Sequence, residues 1–553
     1  MNCRSICFVL ALLMVSYLTS FGQENKQIEL IRAEYLAYDE QLGAGAKRLL
    51  GDVQFKHQGA LLFCDSAYYF ADNRLDAFGS VRLIQGDSLR LTCSTLHYNG
   101  NTREAFAERS VVLSNGNMVL QTAALNYDLQ NGIARYDTPG KITDKENVLT
   151  SGSGVYMTKT RWVYFHRNVR LKNPRYRIES DTLHYQTNLE TAHFVGPTEI
   201  FGDQSRMQCT RGWYDTRNDR CHFWNRAHLW KRGQEIIGDS LWYNQLVGEG
   251  RGRGNVELLD TSEHIRISAQ KGDFEDSRDR AVFTQKSWLE QYDKQDTLFL
   301  SGDTLVATYD SVYFAAKAKH DKRFGAPKQK SGTGKGREST KTKDKKKETA
   351  ASSRPERFQN DSLASRHRRF QAYRNVLFFR KDMQGKADSM VYGQVDSLMH
   401  LFGKPVLWNE ENQLVGDRIR ILMSDGKIFR MWLYGSAFIS SEIDTARYNQ
   451  IKGRNIDGFF IKNALRKVLV RGNGESVYAA RDEKGAFIGI NTAACSDMCI
   501  FIKENKVERI TMLSKPDATM HPVKTIPRES LRLPGFQWRL AERPKGRWDV
   551  VPR

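Results

Sequence analysis

The sequence predicts an all-β fold, an elongated repeat array of stacked antiparallel hairpins with a 29-residue period. Three observations lead to this prediction. Tyrosine recurs seven times in succession at intervals of 29 residues. The apolar positions within a repeat fall in pairs two residues apart, which is the spacing of one face of a strand. The chain of 553 residues holds 28 Phe, 22 Tyr and 10 Trp but only 12 Pro, a composition typical of β-rich proteins.

The repeat is defined by Tyr69, Tyr98, Tyr127, Tyr156, Tyr185, Tyr214 and Tyr243. The residue seven positions before each tyrosine is apolar, as in Leu91, Leu120, Leu149 and Ile178. Nine positions after it most repeats have an aromatic residue, including Phe165, Phe194 and Phe223. Fifteen positions after it the residue is always aliphatic, as in Leu113, Ile142, Leu171 and Ile200. One hairpin cannot bury such a face alone, so the repeats must stack.

Turn residues separate these pairs at two places in each repeat. Asn99-Gly100 and Asn131-Gly132 follow the tyrosine by a few residues and have hairpin-turn chemistry. A second break, as at Gly79 and Pro139-Gly140, comes about eleven residues after the tyrosine. There a long strand is predicted to bend.

The N-terminus predicts a cleaved secretion signal over residues 1–22. Arg4 precedes an apolar run from Ile6 to Leu18, which is shorter than a membrane span, and Ser20 and Gly22 are the small residues of a cleavage site. An uncleaved anchor is the alternative. We therefore expect a mature chain that begins near Gln23 and is located in the periplasm. Association of this chain with the outer membrane is an open alternative.

The remaining chain divides by composition into four segments. Residues 23–315 and 370–514 carry the repeats, and residues 515–553 hold six of the 12 prolines and predict an extended tail. Residues 316–369 form a Lys-rich insert that lacks the apolar residues needed for a core, which predicts disorder. About +12 of the net charge of +20 lies in this stretch, so the repeats themselves are nearly balanced. The insert lacks interleaved aromatic residues, and we expect no nucleic-acid partner.

Sequence motifs give little support for catalysis, a cofactor or a metal. The chain has no nucleophile elbow, phosphate-binding loop, zincin motif or Cys-x-x-Cys pair. Asp65, Asp181, Asp239, Asp303, Asp388 and Asp417 recur before the tyrosine position, where they are predicted to satisfy local backbone amides rather than to act as acids. His97 and His184 share one repeat position and are interpreted as residues of an outer face. We therefore predict that the protein is not an enzyme.

The predicted mature chain keeps six cysteines, an even number that permits disulfides in an oxidising compartment. They are Cys64, Cys93, Cys209, Cys221, Cys495 and Cys499.

These residues resemble the OstA-like branch of the lipopolysaccharide-transport family, the group that contains the periplasmic bridge protein LptA. The long Bacteroidetes-type form is the most similar. The likeness is carried by residues 372–376, 385–392, 405–408 and 412–417, by Tyr448-Asn-Gln-Ile-Lys-Gly453, and by Leu533-Pro-Gly-Phe-Gln-Trp538. The Lys-rich insert departs from the family pattern.

The resemblance implies an open, V-shaped β-jellyroll whose apolar interior shields the lipid A acyl chains of lipopolysaccharide during outer-membrane assembly. It also implies that the end strands pair with other transport proteins or with further copies of the chain. The candidate groove residues are then Leu91, Leu113, Leu120, Tyr127, Ile142, Leu149, Tyr156, Phe165, Leu171, Ile178, Tyr185, Phe194, Ile200 and Phe223. Without the resemblance the same stripe could be an ordinary filled core. A β-helix enzyme acting on polysaccharide and a non-catalytic envelope scaffold stay open as alternatives.

Overall fold

The architecture was analysed in a computed structural model of the chain. The structure describes residues 27–38, 46–231, 233–292, 296–309, 368–394, 396–424, 426–444, 447–482, 486–504, 506–522 and 531–552. The predicted signal peptide and nearly all of the Lys-rich insert lie outside these residues.

The all-β prediction is confirmed, because almost every regular element is a strand. The strands, numbered in chain order, are β1 Glu29–Arg32, β2 Tyr35–Tyr38, β3 Lys47–His57, β4 Ala60–Tyr69, β5 Arg74–Gln85, β6 Leu89–Asn99, β7 Glu104–Asn115, β8 Met118–Asp128, β9 Ile133–Tyr136, β10 Gly140–Asp144, β11 Asn147–Ser151, β12 Ser153–Met157, β13 Trp162–Asn173, β14 Tyr176–Gln186, β15 Thr191–Phe194, β16 Thr198–Gly202, β17 Ser205–Cys209, β18 Arg211–Asp215, β19 Arg220–Lys231, β20 Gln234–Asn244, β21 Glu249–Asp260, β22 Ile265–Glu275, β23 Arg280–Tyr292, β24 Thr297–Tyr309, β25 Arg368–Arg380, β26 Met383–Gly393, β27 Leu398–Phe402, β28 Val406–Asn409, β29 Asn412–Val415, β30 Arg418–Ser424, β31 Lys427–Asp444, β32 Arg447–Ile461, β33 Ala464–Arg481, β34 Phe487–Lys503, β35 Lys506–Leu513 and β36 Asp517–Pro522. Short helical turns occur at Asp276–Arg278, Leu540–Glu542 and Arg547–Val550.

The chain forms two compact units, Met1–Arg253 and Gly254–Arg553. In each unit the strands pair antiparallel with strands that are near in sequence, as in the hairpins β6–β7 and β25–β26. Burial alternates along the strands, so one face of each hairpin is apolar and turned inward.

Long strands bend where a second break was predicted. In β5 the pairing with β6 shifts at Gly79 and Ser80, which have positive φ angles of 71° and 41°. The same shift recurs in β13 at Arg167 and Asn168. Such two-residue bulges turn the strand, so each hairpin has two arms that enclose a shared interior.

Two of the aspartates before the tyrosine position, Asp65 and Asp417, lie against glycines of these bends, while their hydrogen bonding to local backbone amides stays a prediction. A Cβ atom added to Gly435 would lie 2.2 Å from Oδ2 of Asp417, and one added to Gly79 would lie 2.3 Å from Oδ2 of Asp65. Each carboxylate thus fills the space that a side chain at the bulge would need, and the aspartates stay local to their bends.

Two segment bounds differ from the sequence prediction. Arg368 and Arg369 already belong to β25, because the buried Arg368 guanidinium pairs with Asp260 and anchors the start of that strand. The insert therefore joins two neighbouring strands, since Tyr309 at the end of β24 lies opposite Arg368.

The predicted tail also differs from an extended segment. Its first part forms β36, which pairs with β34. Residues 531–552, called the C-terminal strap here, lie along strands of the second unit. Gln413 and Gln450, both buried, hydrogen-bond the strap backbone with their side-chain amides. The strap is held because it satisfies polar groups that would otherwise be buried without partners.

No helix in the part of the chain that the structure describes is both long and apolar enough to cross a membrane.

Candidate functional site

The fourteen predicted groove residues all lie inside the first unit, where they form three cross-strand rows. The first row is aliphatic, because the register places the residue seven positions before each tyrosine opposite the residue fifteen positions after the same tyrosine. Leu91 lies opposite Leu113, Leu120 opposite Ile142, Leu149 opposite Leu171, and Ile178 opposite Ile200. The sequence pattern thus describes one continuous stripe along the array.

The second and third rows carry the rings. Tyr127, Tyr156 and Tyr185 alternate with the smaller residues Ala134 and Val163, which leave room for the rings. Phe165, Phe194 and Phe223 form the third row with glycines among them. At Gly212 a Cβ atom would lie 2.6 Å from the Phe223 ring, so glycine is required for the aromatic residue to fit.

This interior is closed in the structure. Each of the fourteen side chains is at most 3% exposed, and all belong to one apolar cluster of the first unit. In this conformation the stripe is therefore a packed core, and acyl chains could enter between the arms only if the arms separated.

The hydroxyl groups of the repeat tyrosines hold the two arms together. Tyr127 donates to Oε1 of Gln85 at 2.6 Å, and Tyr156 accepts from Nδ2 of Asn115 at 2.9 Å. The hydroxyl oxygen of Tyr98 lies 2.6 Å from Nδ1 of His57. Each pair is 41 or 42 residues apart in sequence, so every tyrosine reaches the end of an opposite arm.

The same contacts continue at both ends of this series. Tyr69 donates to the carbonyl oxygen of Ile28 at 3.1 Å, and Tyr185 donates to Oδ2 of Asp144 at 3.2 Å. We call this series of contacts the tyrosine seam. Burial raises the pKa of Tyr98 and Tyr127 to about 12, so the phenols stay protonated. The sequence predicted that these tyrosines would line the interior, but their role in closing it was missed.

The interior of the second unit contains a cavity. A cavity of about 730 Å³ lies between its arms. Its apolar wall is formed by Leu289, Leu298, Leu300, Phe370, Met390, Tyr392, Met399 and Met423. Phe370, Tyr392 and Met399 lie opposite one another on successive strands β25, β26 and β27, which makes them a row equivalent to the tyrosine row of the first unit.

Polar side chains from the strand ends surround this cavity. Arg380 pairs with Asp382, and Asn463 donates to Oδ2 of Asp382 at 2.6 Å. Lys381 and Lys427 also line the cavity, and their ammonium groups form no ion pair with any residue that the structure describes. The cavity therefore combines an apolar wall with a polar rim of both charges, where Lys381 and Lys427 lie together with Glu263, Asp296 and Glu410.

Sequence reasoning missed this cavity because it gave weight to the seven exactly spaced tyrosines. The available signal was that Asp388-Ser-Met-Val-Tyr392 matches Asp181-Thr-Leu-His-Tyr185, which makes Tyr392 a later copy of the same position. Unlike the hydroxyl groups of the seam tyrosines, the Tyr392 hydroxyl makes no hydrogen bond to the described part of the chain. Its neighbours Met390 and Met399 are flexible side chains that fit irregular ligands well.

The six cysteines form no disulfide in the structure. Cys64, Cys93 and Cys209 occupy one repeat position on different strands, where they face Val53, Val81 and Thr198 rather than each other. Burial raises the pKa of Cys93 to about 11 and that of Cys64 to about 12, so these thiols are unreactive core residues. Among the described residues no group of three or more His, Cys, Asp or Glu could hold a metal ion.

Comparison with known proteins identifies the family. Residues 25–181 match the OstA-like proteins, and residues 266–427 match the LptA and LptD N-terminal domain family of lipopolysaccharide-transport proteins. The chain belongs to the OstA-like family of lipopolysaccharide-transport proteins. In this OstA-like protein the second matched segment contains Phe370, Met390, Tyr392 and Met399 of the cavity wall.

Solved structures were also compared with this OstA-like protein. LptH of Pseudomonas aeruginosa, described as the LptA-homologous periplasmic component of the lipopolysaccharide transport device, is 13% identical over 25% of this chain and 95% of its own, with a TM-score of 0.20. No curated protein matches the sequence.

Proposed function

We propose that this OstA-like protein binds lipopolysaccharide in the periplasm and carries or bridges it toward the outer membrane. The acyl chains of lipid A are shielded in the apolar interior of the hairpin array, and no covalent chemistry is involved. The observation that carries the proposal is the cavity of the second unit, which has an apolar wall and a polar rim that includes Lys381 and Lys427. The family assignment supplies the ligand class.

The size and chemistry of the cavity suit part of a lipid. Its volume of about 730 Å³ lies within the range of ligand sites, roughly 300–1,000 Å³. Each methylene group moved from water to such a wall contributes about 0.8 kcal/mol. Lys381 and Lys427 would then meet the phosphate groups of lipid A at the rim, where charge-assisted hydrogen bonds form.

The interior of the first unit, with its fourteen predicted groove residues, belongs to this proposal as a second lipid site. We propose that lipid reaches them when the tyrosine seam opens. The cavity of the second unit needs no such opening, and it is therefore the first contact site in this account.

The N-terminal edge supports a protein partner. Among the described strands, β1 and β2 pair only with β3, and Tyr35, Leu36 and Tyr38 on β2 are 58–70% exposed. An unpaired apolar edge of this kind can accept a strand from another protein. We propose that another transport protein, or a second copy of this chain, adds its strand here.

Equilibrium binding of fluorescent lipopolysaccharide to the full-length mature protein tests the proposal. Met399→Glu places a carboxylate on the apolar wall, and we expect it to weaken binding at least about tenfold because the charge would be desolvated by the acyl chains. His400→Glu is the matched control, since its side chain is on the other face of the same strand. Equal binding by both variants and the wild type would contradict the cavity site and favour the scaffold function.

A further inference from the structure

The outer face of the first unit carries a row of rings that the lipid site does not use. Strand pairing places six partly exposed rings side by side on strands β13, β14, β15, β18, β19 and β20, namely Tyr164, His184, His193, Trp213, His222 and Trp242. We call this row the aromatic ribbon. Neighbouring strands are about 4.8 Å apart, so the ribbon is about 24 Å long.

Rings along the ribbon contact one another and widen its surface. The ring centroids of Tyr164 and His184 are 4.7 Å apart. Trp162 lies 5.2 Å from His193, and Trp224 lies 5.1 Å from His222. Together these rings make a continuous surface across six strands.

The ribbon is uncharged at neutral pH. Burial lowers the pKa of His184, His193 and His222 below the ordinary value of 6.5, so their imidazoles are neutral. Nε2 of His222 also lies 2.7 Å from Oγ of Ser240, which fixes the orientation of that ring. The surface therefore offers flat, apolar ring faces with polar edges.

Cations without an acidic partner flank these rings. The Arg251 guanidinium lies 5.0 Å from the centroid of the Trp242 ring at one end. Arg135 lies in the same row two strands before Tyr164, and Arg211 lies opposite Trp224. None of these three arginines forms an ion pair within the described residues. By contrast, the carboxylate of Asp215 on this face is already paired with Arg220. Three unpaired arginines thus lie beside the ribbon, and Glu249 is exposed on the same strand face as Arg251.

We propose that the aromatic ribbon binds an extended acidic polysaccharide. The apolar C–H face of a pyranose ring stacks on aromatic side chains, and the spacing of one ring per strand is close to the length of one sugar unit. Carboxylate groups on the sugars would pair with Arg135, Arg211 and Arg251 by charge-assisted hydrogen bonds. This site is on the opposite face of the strands from the apolar interior, so it is independent of the proposed lipid site.

The test measures binding of sodium alginate, an extended polyuronate, to the full-length mature protein, with neutral dextran as the comparison probe. The double variant Trp213→Ala and Trp242→Ala removes two rings, and we expect alginate affinity to fall about tenfold. Trp230→Ala is the matched control, because Trp230 is a partly exposed tryptophan on another outer row that also carries a nearby arginine. The Trp230→Ala variant should bind alginate as tightly as the wild type does. Added salt should weaken alginate binding by the wild type and by this variant.

A second pair of variants keeps the test decisive if loss of the rings disturbs folding. Arg135→Gln and Arg251→Gln change only exposed charges, and together they should weaken alginate binding several-fold without changing the melting temperature. Unchanged alginate binding in this pair, or dextran binding as tight as alginate binding, would overturn the proposal. Tighter binding of a single-stranded oligonucleotide than of alginate would also overturn it. The same variants should bind lipopolysaccharide as the wild type does. A failure of the ribbon proposal can therefore be distinguished from a failure of the proposed function.

Discussion

Removing one hydroxyl group from the tyrosine seam, with the substitution Tyr156→Phe, should destabilise the first unit measurably. Tyr156 is fully buried and Asn115 is 4% exposed, and their hydrogen bond is 2.9 Å long. Without the phenol, Nδ2 of Asn115 has no partner among the described residues. A buried donor left unpaired costs about 1–3 kcal/mol, so we expect a loss of this size in the free energy of unfolding.

Urea denaturation of the mature protein, followed by far-UV circular dichroism, measures this loss. Tyr164→Phe is the control, because the Tyr164 hydroxyl is on the outer face and makes no hydrogen bond to the described residues. Its effect should stay within about 0.5 kcal/mol. A double-mutant cycle with Asn115→Ala should show a coupling energy of about 1 kcal/mol. Equal effects of Tyr156→Phe and Tyr164→Phe, or no coupling with Asn115, would refute the role of the seam.

Three further predictions concern other parts of the molecule. Hydrogen bonds from Arg539 and Lys386 lower the pKa of Glu542 to about 2, so its contribution to strap binding is present above pH 4.5 and lost as the pH falls through 2. Glu542→Gln should therefore loosen the strap by at most about 1 kcal/mol at pH 7 and have no effect near pH 2, as read by proteolysis of the C-terminus. Replacing residues 310–367 with a short Gly/Ser turn should leave the melting temperature nearly unchanged, because Tyr309 and Arg368 already lie opposite each other. Gly435→Ala should destabilise the protein by about 1–3 kcal/mol in a thermal melt, because the backbone φ is 67° and Asp417 fills the space of the new Cβ atom.

The fold could be predicted from the sequence because exact repetition makes each local signal visible many times. The pairs of apolar positions two residues apart gave the strands, and turn residues such as Asn131-Gly132 gave the hairpins. The bends were also visible, since glycine or proline recurs at one repeat position. Register follows from these features, because a shift of one residue would turn every apolar side chain outward.

The candidate site was less predictable, for physical reasons. A periodic pattern shows which residues face inward but not how far apart two facing arms stand. Leu171 and Met399 have the same kind of inward position, yet one is in a packed core and the other lines a cavity. The difference comes from cross-arm contacts such as that of Tyr156 with Asn115, which join residues far apart in sequence.

The aromatic ribbon was only partly visible in the sequence. His184 was correctly interpreted as an outer-face residue, but its alignment with Trp213 and Trp242 depends on the strand register. The strap was missed because its buried partners Gln413 and Gln450 have no distinctive sequence pattern.

Site-specific photo-cross-linking in the presence of lipopolysaccharide tests the central claim most directly. A photo-reactive residue replaces Met399 on the cavity wall or, as the control, His400 on the other face of the same strand. The account predicts a lipopolysaccharide adduct at Met399 and none at His400, with the Met399 adduct reduced by excess unlabelled lipopolysaccharide. No adduct at Met399, or adducts of equal yield at both positions, would contradict a lipid site between the arms.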